Sequence, residues 1–211
     1  MLGIYGGTFN PVHYGHLRTA VEIKDRFKLQ QMLLIPCNIP PHRQPPEVTA
    51  DMRLQMLKLA VQDVTDLQVD RRELDRPGPS YMVDTLVELK TEYPQTSLLL
   101  VLGTDAFSGL ESWRHWQSLF EYAHIVVMTR PGFQPGTLSA FLQQRICLQP
   151  QQLQAYAAGG LIFQEVTQLA ISATQIREII ATGGNPQFLL PDAVLAFIRQ
   201  HQLYRHVLST G

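Results

Sequence analysis

With 211 residues, 45% hydrophobic and 17% charged, the chain has the make-up of a globular protein able to bury one sizeable core, not that of a disordered tail. A formal net charge of −1 and a pI near 6.6 exclude a general basic field for nucleic acid or an anionic membrane surface, so any phosphate must be met by local groups. Two cysteines, Cys37 and Cys147, without C-x-x-C spacing exclude a disulfide framework, and no apolar run approaches the ~20 residues of a membrane span.

In chain order, Leu2 to Tyr5 reads as a short buried strand. Gly6 and Gly7 follow at once; lacking a Cβ, they predict a sharp turn that lets a bulky anion approach backbone N–H groups. Asn10-Pro11 is a turn signal, and Tyr14 to Phe27 carries Leu17, Ala20, Val21 and Phe27 at helical spacing. The first turn of that helix offers unpaired N–H groups and the positive end of its dipole, where a polyphosphate is stabilised. His13 and His16 flank this end, three residues apart, and Gly15 between them leaves room for a flat group against the backbone. Either feature alone is an ordinary turn or a solvated histidine; the combination reads as a phosphate site.

Gln31 to Pro36 is a continuous apolar run expected of a parallel strand covered on both faces. Asn38 to Ala50 holds Pro40, Pro41, Pro45 and Pro46 and predicts a long loop over one sheet end. A helix is expected over Arg53 to Val64, strands at Leu67 to Val69, Leu98 to Leu102 and Ile125 to Met128, and a helix over Tyr81 to Tyr93. Gln149 to Gln154 reads as a solvated connection, and Ile171 to Arg177 opens a helix with Ser172 or Thr174 as its cap. Strands alternating with helices at crossover length predict one domain, 1–211, built as an α/β doubly wound, mostly parallel sheet with a C-terminal helical portion. Ligands of such sheets lie at the carboxyl ends of the strands, where the Gly6-to-His16 turn, the Pro-rich loop and Gly103-Thr104-Asp105 all fall. Neither G-x-x-x-x-G-K-[ST] nor G-x-G-x-x-G is present, which disfavours a P-loop hydrolase or a dinucleotide-dependent dehydrogenase.

The run Gly7-Thr8-Phe9-Asn10-Pro11-Val12-His13-Tyr14-Gly15-His16 resembles the signature of the nucleotidyltransferase superfamily, T/G-x-F-x-P-x-H-x-G-H. Ile171-Ser172-Ala173-Thr174-Gln175-Ile176-Arg177 resembles that superfamily's I-S-[ST]-T-x-I-R motif, with Ala173 the only departure. Pro40-Pro41-His42-Arg43, Pro79 to Leu86, Gly103-Thr104-Asp105 and Trp113-Arg114-His115-Trp116 look together like the bacterial nicotinate-nucleotide adenylyltransferase family, and the likeness extends through Leu190-Pro191 to Ile198–Tyr204.

The resemblance implies transfer of AMP from ATP to nicotinate mononucleotide, with Mg²⁺ carried mainly by the ATP phosphates. His13 and His16 are then the catalytic phosphate contacts, and Gly6, Gly7, Thr8, Phe9, Gly103, Asp105, Ser172, Thr174 and Arg177 bind ATP. His42, Arg43, Tyr81, Met82, Trp113 and Arg114 face the mononucleotide, with Arg130 a further phosphate contact. Trp113 supplies a flat surface for a pyridine ring, while Trp116 is expected in the core. Backbone N–H groups at helix starts near Tyr81 and Arg114 hold the substrate carboxylate; Met82 stands where the family often has threonine, which removes a side-chain contact. His42 and Arg43 are placed on a loop able to close as a lid. The partners implied are ATP and nicotinate mononucleotide, without nucleic acid or membrane, in a reducing cytoplasm. An amide-specific or phosphopantetheine adenylyltransferase, or a nucleotide sensor without catalysis, stands as the alternative.

Overall fold

The computed structural model describes residues 1–39, 46, 48–167 and 169–205. In chain order these form β1 (Leu2–Gly7), α1 (Tyr14–Arg26), β2 (Gln31–Pro36), α2 (Ala50–Val61), β3 (Leu67–Val69), α3 (Arg72–Asp75), α4 (Met82–Glu92), β4 (Leu98–Gly103), α5 (Thr104–Ser108), α6 (Leu119–Tyr122), β5 (Ala123–Thr129), α7 (Ala140–Gln143), β6 (Leu161–Glu165), α8 (Ala173–Ala181) and α9 (Asp192–Gln200). The six strands make one sheet in the order β3-β2-β1-β4-β5-β6, with every neighbouring pair parallel.

Period-two alternation of apolar residues sorts the strands onto two cores. Leu98, Leu100 and Leu102 of β4 and Ile125 and Val127 of β5 face the layer that holds α4 and α6. Leu99, Val101, Val126 and Met128 face the layer of α1, α2, α8 and α9. Leu98 to Val101 are each fully buried; burying one such side chain stabilises the fold by about 1.5–3 kcal/mol. This two-sided burial is why the strands read as unbroken apolar runs.

The chain leaves β1 for β2 and β3 on one side, then returns to β4 on the other side of β1. The carboxyl ends of β1 and β4 therefore diverge into a crevice, the place where such sheets bind ligands. β2 and β3 keep the expected bounds, whereas β1 runs two residues beyond Tyr5 because Gly6 and Gly7 still pair with Ile35 and Pro36. α2 starts at Ala50, ahead of the expected Arg53, because Thr49 Oγ1 accepts the Met52 N–H at 3.3 Å and caps it. β6 falls outside the expected strands. Gln149 to Gln154 is a solvated connection along its glutamines, all exposed, but it is regular: Pro150–Ala155 is a 3₁₀ helix with a Gln149–Gln152 capping box, and it carries Leu153 fully into the core. Among the described residues no helix is long and apolar enough to cross a membrane.

Candidate active site

A cavity of about 920 Å³ opens at the crevice between β1 and β4. Its floor is the segment after β1, contributing Thr8, Phe9, Asn10, His13 and His16; one wall is Gly103, Thr104 and Asp105, where β4 enters α5. Ile171 and Ser172 just before α8 and Thr174 and Arg177 within it close it, with Met128 of β5, Arg130 just after that strand, and Tyr204 and Arg205 from the chain's final described residues. Residues expected from both motifs thus meet across this one cavity.

His13 and His16 lie at its centre. His13 precedes α1 in an extended conformation (φ −149°, ψ 170°), and the two imidazole rings pack together at a tilt of 32° with centroids 3.8 Å apart. Phe9, in a left-handed backbone conformation (φ +47°) uncommon for a bulky residue, sets its ring edge-on to His16 with centroids 5.1 Å apart. His13 is only 5% exposed. Burial pushes His13 down to about 4 and His16 to about 3, the neighbouring His13 adding to the shift of His16. Both rings are therefore neutral at pH 7. The Nδ1 atom of each is buried with no hydrogen-bond partner among the described residues.

The space in front of Gly6 and Gly7 is taken up from within the protein. A Cβ on Gly6 would lie 2.5 Å from the Met82 methyl, and one on Gly7 would lie 3.1 Å from the Phe9 ring. Both positions are filled by the protein's own side chains, and neither glycine lines the cavity. The flat group against Gly15 is the His13 ring. The N–H groups of the first α1 turn are also partly engaged: Tyr14 donates to Leu189 O at 3.1 Å, and His16 and Leu17 donate to His13 O.

On the α8 wall, Ser172 is the cap, accepting the Gln175 N–H at 3.1 Å. Arg177 donates to Asn10 O at 2.8 Å and to Thr174 Oγ1 at 3.1 Å. Asp105 is not a cap: Gly103 holds that position in α5, and Asp105 is exposed on the cavity wall.

Tyr81, Met82, Trp113 and Arg114 gather outside this cavity, around the start of α4. The Arg114 guanidinium lies 4.7 Å from the Tyr81 ring centroid and 4.0 Å from the Asp84 carboxylate. Trp113 is half-buried against the α4 side of the core. No α-helix starts at Arg114; only the 3₁₀ turn Trp116–Ser118 follows, so a helix N-terminus is available at Tyr81 alone. Trp116 packs against the core as expected, half-buried and edge-on to Phe141 at 5.0 Å. His42 and Arg43 lie outside the described residues.

Two residues at the site have no local sequence signature. Tyr204 donates its hydroxyl to Asn10 Oδ1 at 2.7 Å. Arg53, 1% exposed, donates to Thr8 O at 2.8 Å. The available signal for Arg53 is its place on the apolar stripe of α2, one turn before Met56 and Leu57.

Residues 4–179 match the cytidylyltransferase-like family. The chain is 46% identical over 208 residues to the "probable nicotinate-nucleotide adenylyltransferase" of Methylococcus capsulatus, covering 97% of this chain and 99% of that one. It is 45% identical to the protein of the same name from Marinomonas sp., covering 97% and 94%. The structure of Plasmodium falciparum nicotinic acid mononucleotide adenylyltransferase complexed with NaAD superposes with a TM-score of 0.72 at 15% identity, covering 96% of each chain, a likeness of fold. By these matches the chain belongs to the cytidylyltransferase-like family and, within it, to the nicotinate-nucleotide adenylyltransferases.

Proposed function

We infer that this chain transfers the adenylyl group of ATP to nicotinate mononucleotide, forming deamido-NAD and pyrophosphate. The observation that carries this reading is the close-packed pair of neutral imidazoles, His13 and His16, in the β1–β4 crevice of a chain whose relatives bear that enzyme's name.

With no acceptor beside Nδ1, each neutral ring keeps its proton on Nε2 and offers that N–H to a phosphate oxygen. Arg177 adds fixed charge from α8, and the N-termini of α1 and α8 stabilise the polyphosphate between them. Asp105 is placed to accept hydrogen bonds from the nucleoside. On the acceptor side, Trp113 offers its ring to the pyridine, and the N-terminus of α4 at Tyr81–Met82 meets the carboxylate.

The mononucleotide's 5′-phosphate then attacks the α-phosphorus in line, forming the new P–O bond as the bond to pyrophosphate breaks. The attacking oxygen is ionised at neutral pH, so no general base is needed, and catalysis rests on positioning and charge stabilisation. The site fits a Mg²⁺ ion arriving on ATP: the cavity carboxylates Asp105 and Glu178 stand on separate walls and form no cage, so the ion would be held mainly by phosphate oxygens and water. When bound, the ion neutralises charge on the departing pyrophosphate. We read the 1–211 chain as one catalytic unit in a reducing cytoplasm, a reading supported by two free thiols, Cys37 and Cys147.

The test is pyrophosphate release with ATP and Mg²⁺, comparing kcat/KM for nicotinate mononucleotide and its amide. A preference for the acid of tenfold or more, about 1.4 kcal/mol, supports the reading. A ratio near one removes the carboxylate contact, and no turnover with either removes the function.

A further inference from the structure

The donor cavity and the acceptor cluster sit on different loops, yet one line of buried and half-buried polar groups joins them. Arg53 of α2 donates from one terminal nitrogen to Thr8 O at 2.8 Å, in the turn that carries the histidines, and from the other to Asn38 O at 3.1 Å, just past β2. Asn38 in turn donates its N–H to Ser80 Oγ at 2.9 Å, and Ser80 N–H donates to Ile39 O at 3.0 Å. The Ser80 hydroxyl bonds the buried Glu73 carboxylate, which also accepts the Thr85 hydroxyl at 2.6 Å. Ser80 immediately precedes Tyr81 and Met82, and Thr85 lies one turn inside the same helix.

A fully buried guanidinium is a poor way to gain stability. Its Nε has no hydrogen-bond partner among the described residues, and besides the Cys37 side chain its bonds go to two carbonyls. An apolar side chain of similar volume often serves stability as well or better. What only the planar fork supplies is a fixed spacing between two backbone carbonyls.

We propose that Arg53 is a positioning residue which, through Asn38 and Ser80, holds the ATP-binding turn and the mononucleotide-binding helix start at the separation the reaction requires. This rests on the adenylyltransfer reading above. In-line attack depends on the relative placement of two bound phosphates, and a misplacement of ~1 Å can cost about 10²-fold.

The test uses Arg53→Met, Arg53→Lys, Ser80→Ala and the Arg53→Met/Ser80→Ala double variant. Wild-type turnover is measured first; its absence would overturn the adenylyltransfer reading and leave the positioning question to the calorimetry. In Arg53→Met, kcat should fall about 10- to 10²-fold, while calorimetric Kd for ATP alone stays within about twofold. Arg53→Lys, which keeps a donor, should recover part of kcat. Ser80→Ala should lower kcat in the same way, and the double variant should cost little more than the worse single one, because both interrupt one line. A normal kcat in folded Arg53→Met, or losses that multiply, overturns the proposal. Should Arg53→Met not fold, Ser80→Ala and Arg53→Lys decide it by the same kcat-against-Kd split.

Discussion

The imidazole of His13 occupies the space that a side chain at Gly15 would need: a Cβ there would lie 2.9 Å from both Cε1 and Nδ1 of the ring, and 3.3 Å from Ile171 O. The glycine of the H-x-G-H run thus holds a catalytic candidate in place. Gly15→Ala should displace the ring and lower kcat about 10²-fold with the fold retained. Steady-state kinetics beside a circular dichroism spectrum check this, and a normal kcat would show that the ring can yield without consequence.

Acid should destabilise the protein through its buried histidines. The folded pKa values of His13 and His16, about 4 and about 3, lie below the ordinary 6.5, and burial lowers His124 as well. The unfolded chain therefore takes up protons first, so the stabilisation is complete above pH 6.5 and is lost as pH falls toward the folded values. For His13 the full difference is on the order of 3 kcal/mol. Tm should fall steadily between about pH 7 and 5, and NMR signals of His13 and His16 should not titrate in that window. A titration midpoint near the ordinary 6.5 would contradict their burial.

Much of the sheet was legible because β2, β4 and β5 are buried by their own apolar runs. β6 was not: at the sheet edge its Leu161-Ile162-Phe163 is short, and the strand ends in Gln164 and Glu165. The two histidines, Arg177 and Asp105 were legible through local motifs. The packing of Met82 and Phe9 against Gly6 and Gly7 was not legible, because it comes from tertiary structure and a left-handed turn. Arg53 and Tyr204 reach their partners across 45 and 194 positions, and no periodicity records such contacts.

Tyr204 and Arg177 hold Asn10 from two sides, one through its side-chain oxygen and one through its carbonyl. Tyr204→Phe keeps the ring and removes only the first bond, a net loss of about 0.5–1.5 kcal/mol. KM for ATP should rise about 2- to 10-fold, with that for nicotinate mononucleotide unchanged. A lowered Tm with an unchanged KM for ATP would make the contact purely structural.

Substituting Trp113 should separate the two halves of the site kinetically. It lies with Tyr81, Met82 and Arg114 outside the cavity lined by the histidines, and its half-buried ring can stack on a pyridine. Such stacking contributes about 0.5–1.5 kcal/mol, so Trp113→Ala should raise KM for nicotinate mononucleotide about 2- to 10-fold. KM for ATP should not move. Trp113→Phe, which keeps a smaller aromatic face, should fall between the two. Because the ring also packs against the α4 side of the core, both substitutions should lower Tm somewhat. The decisive quantity is the ratio of the two KM changes: a selective rise places the tryptophan at the pyridine, whereas a parallel rise for both substrates makes it a packing residue whose loss loosens the whole site.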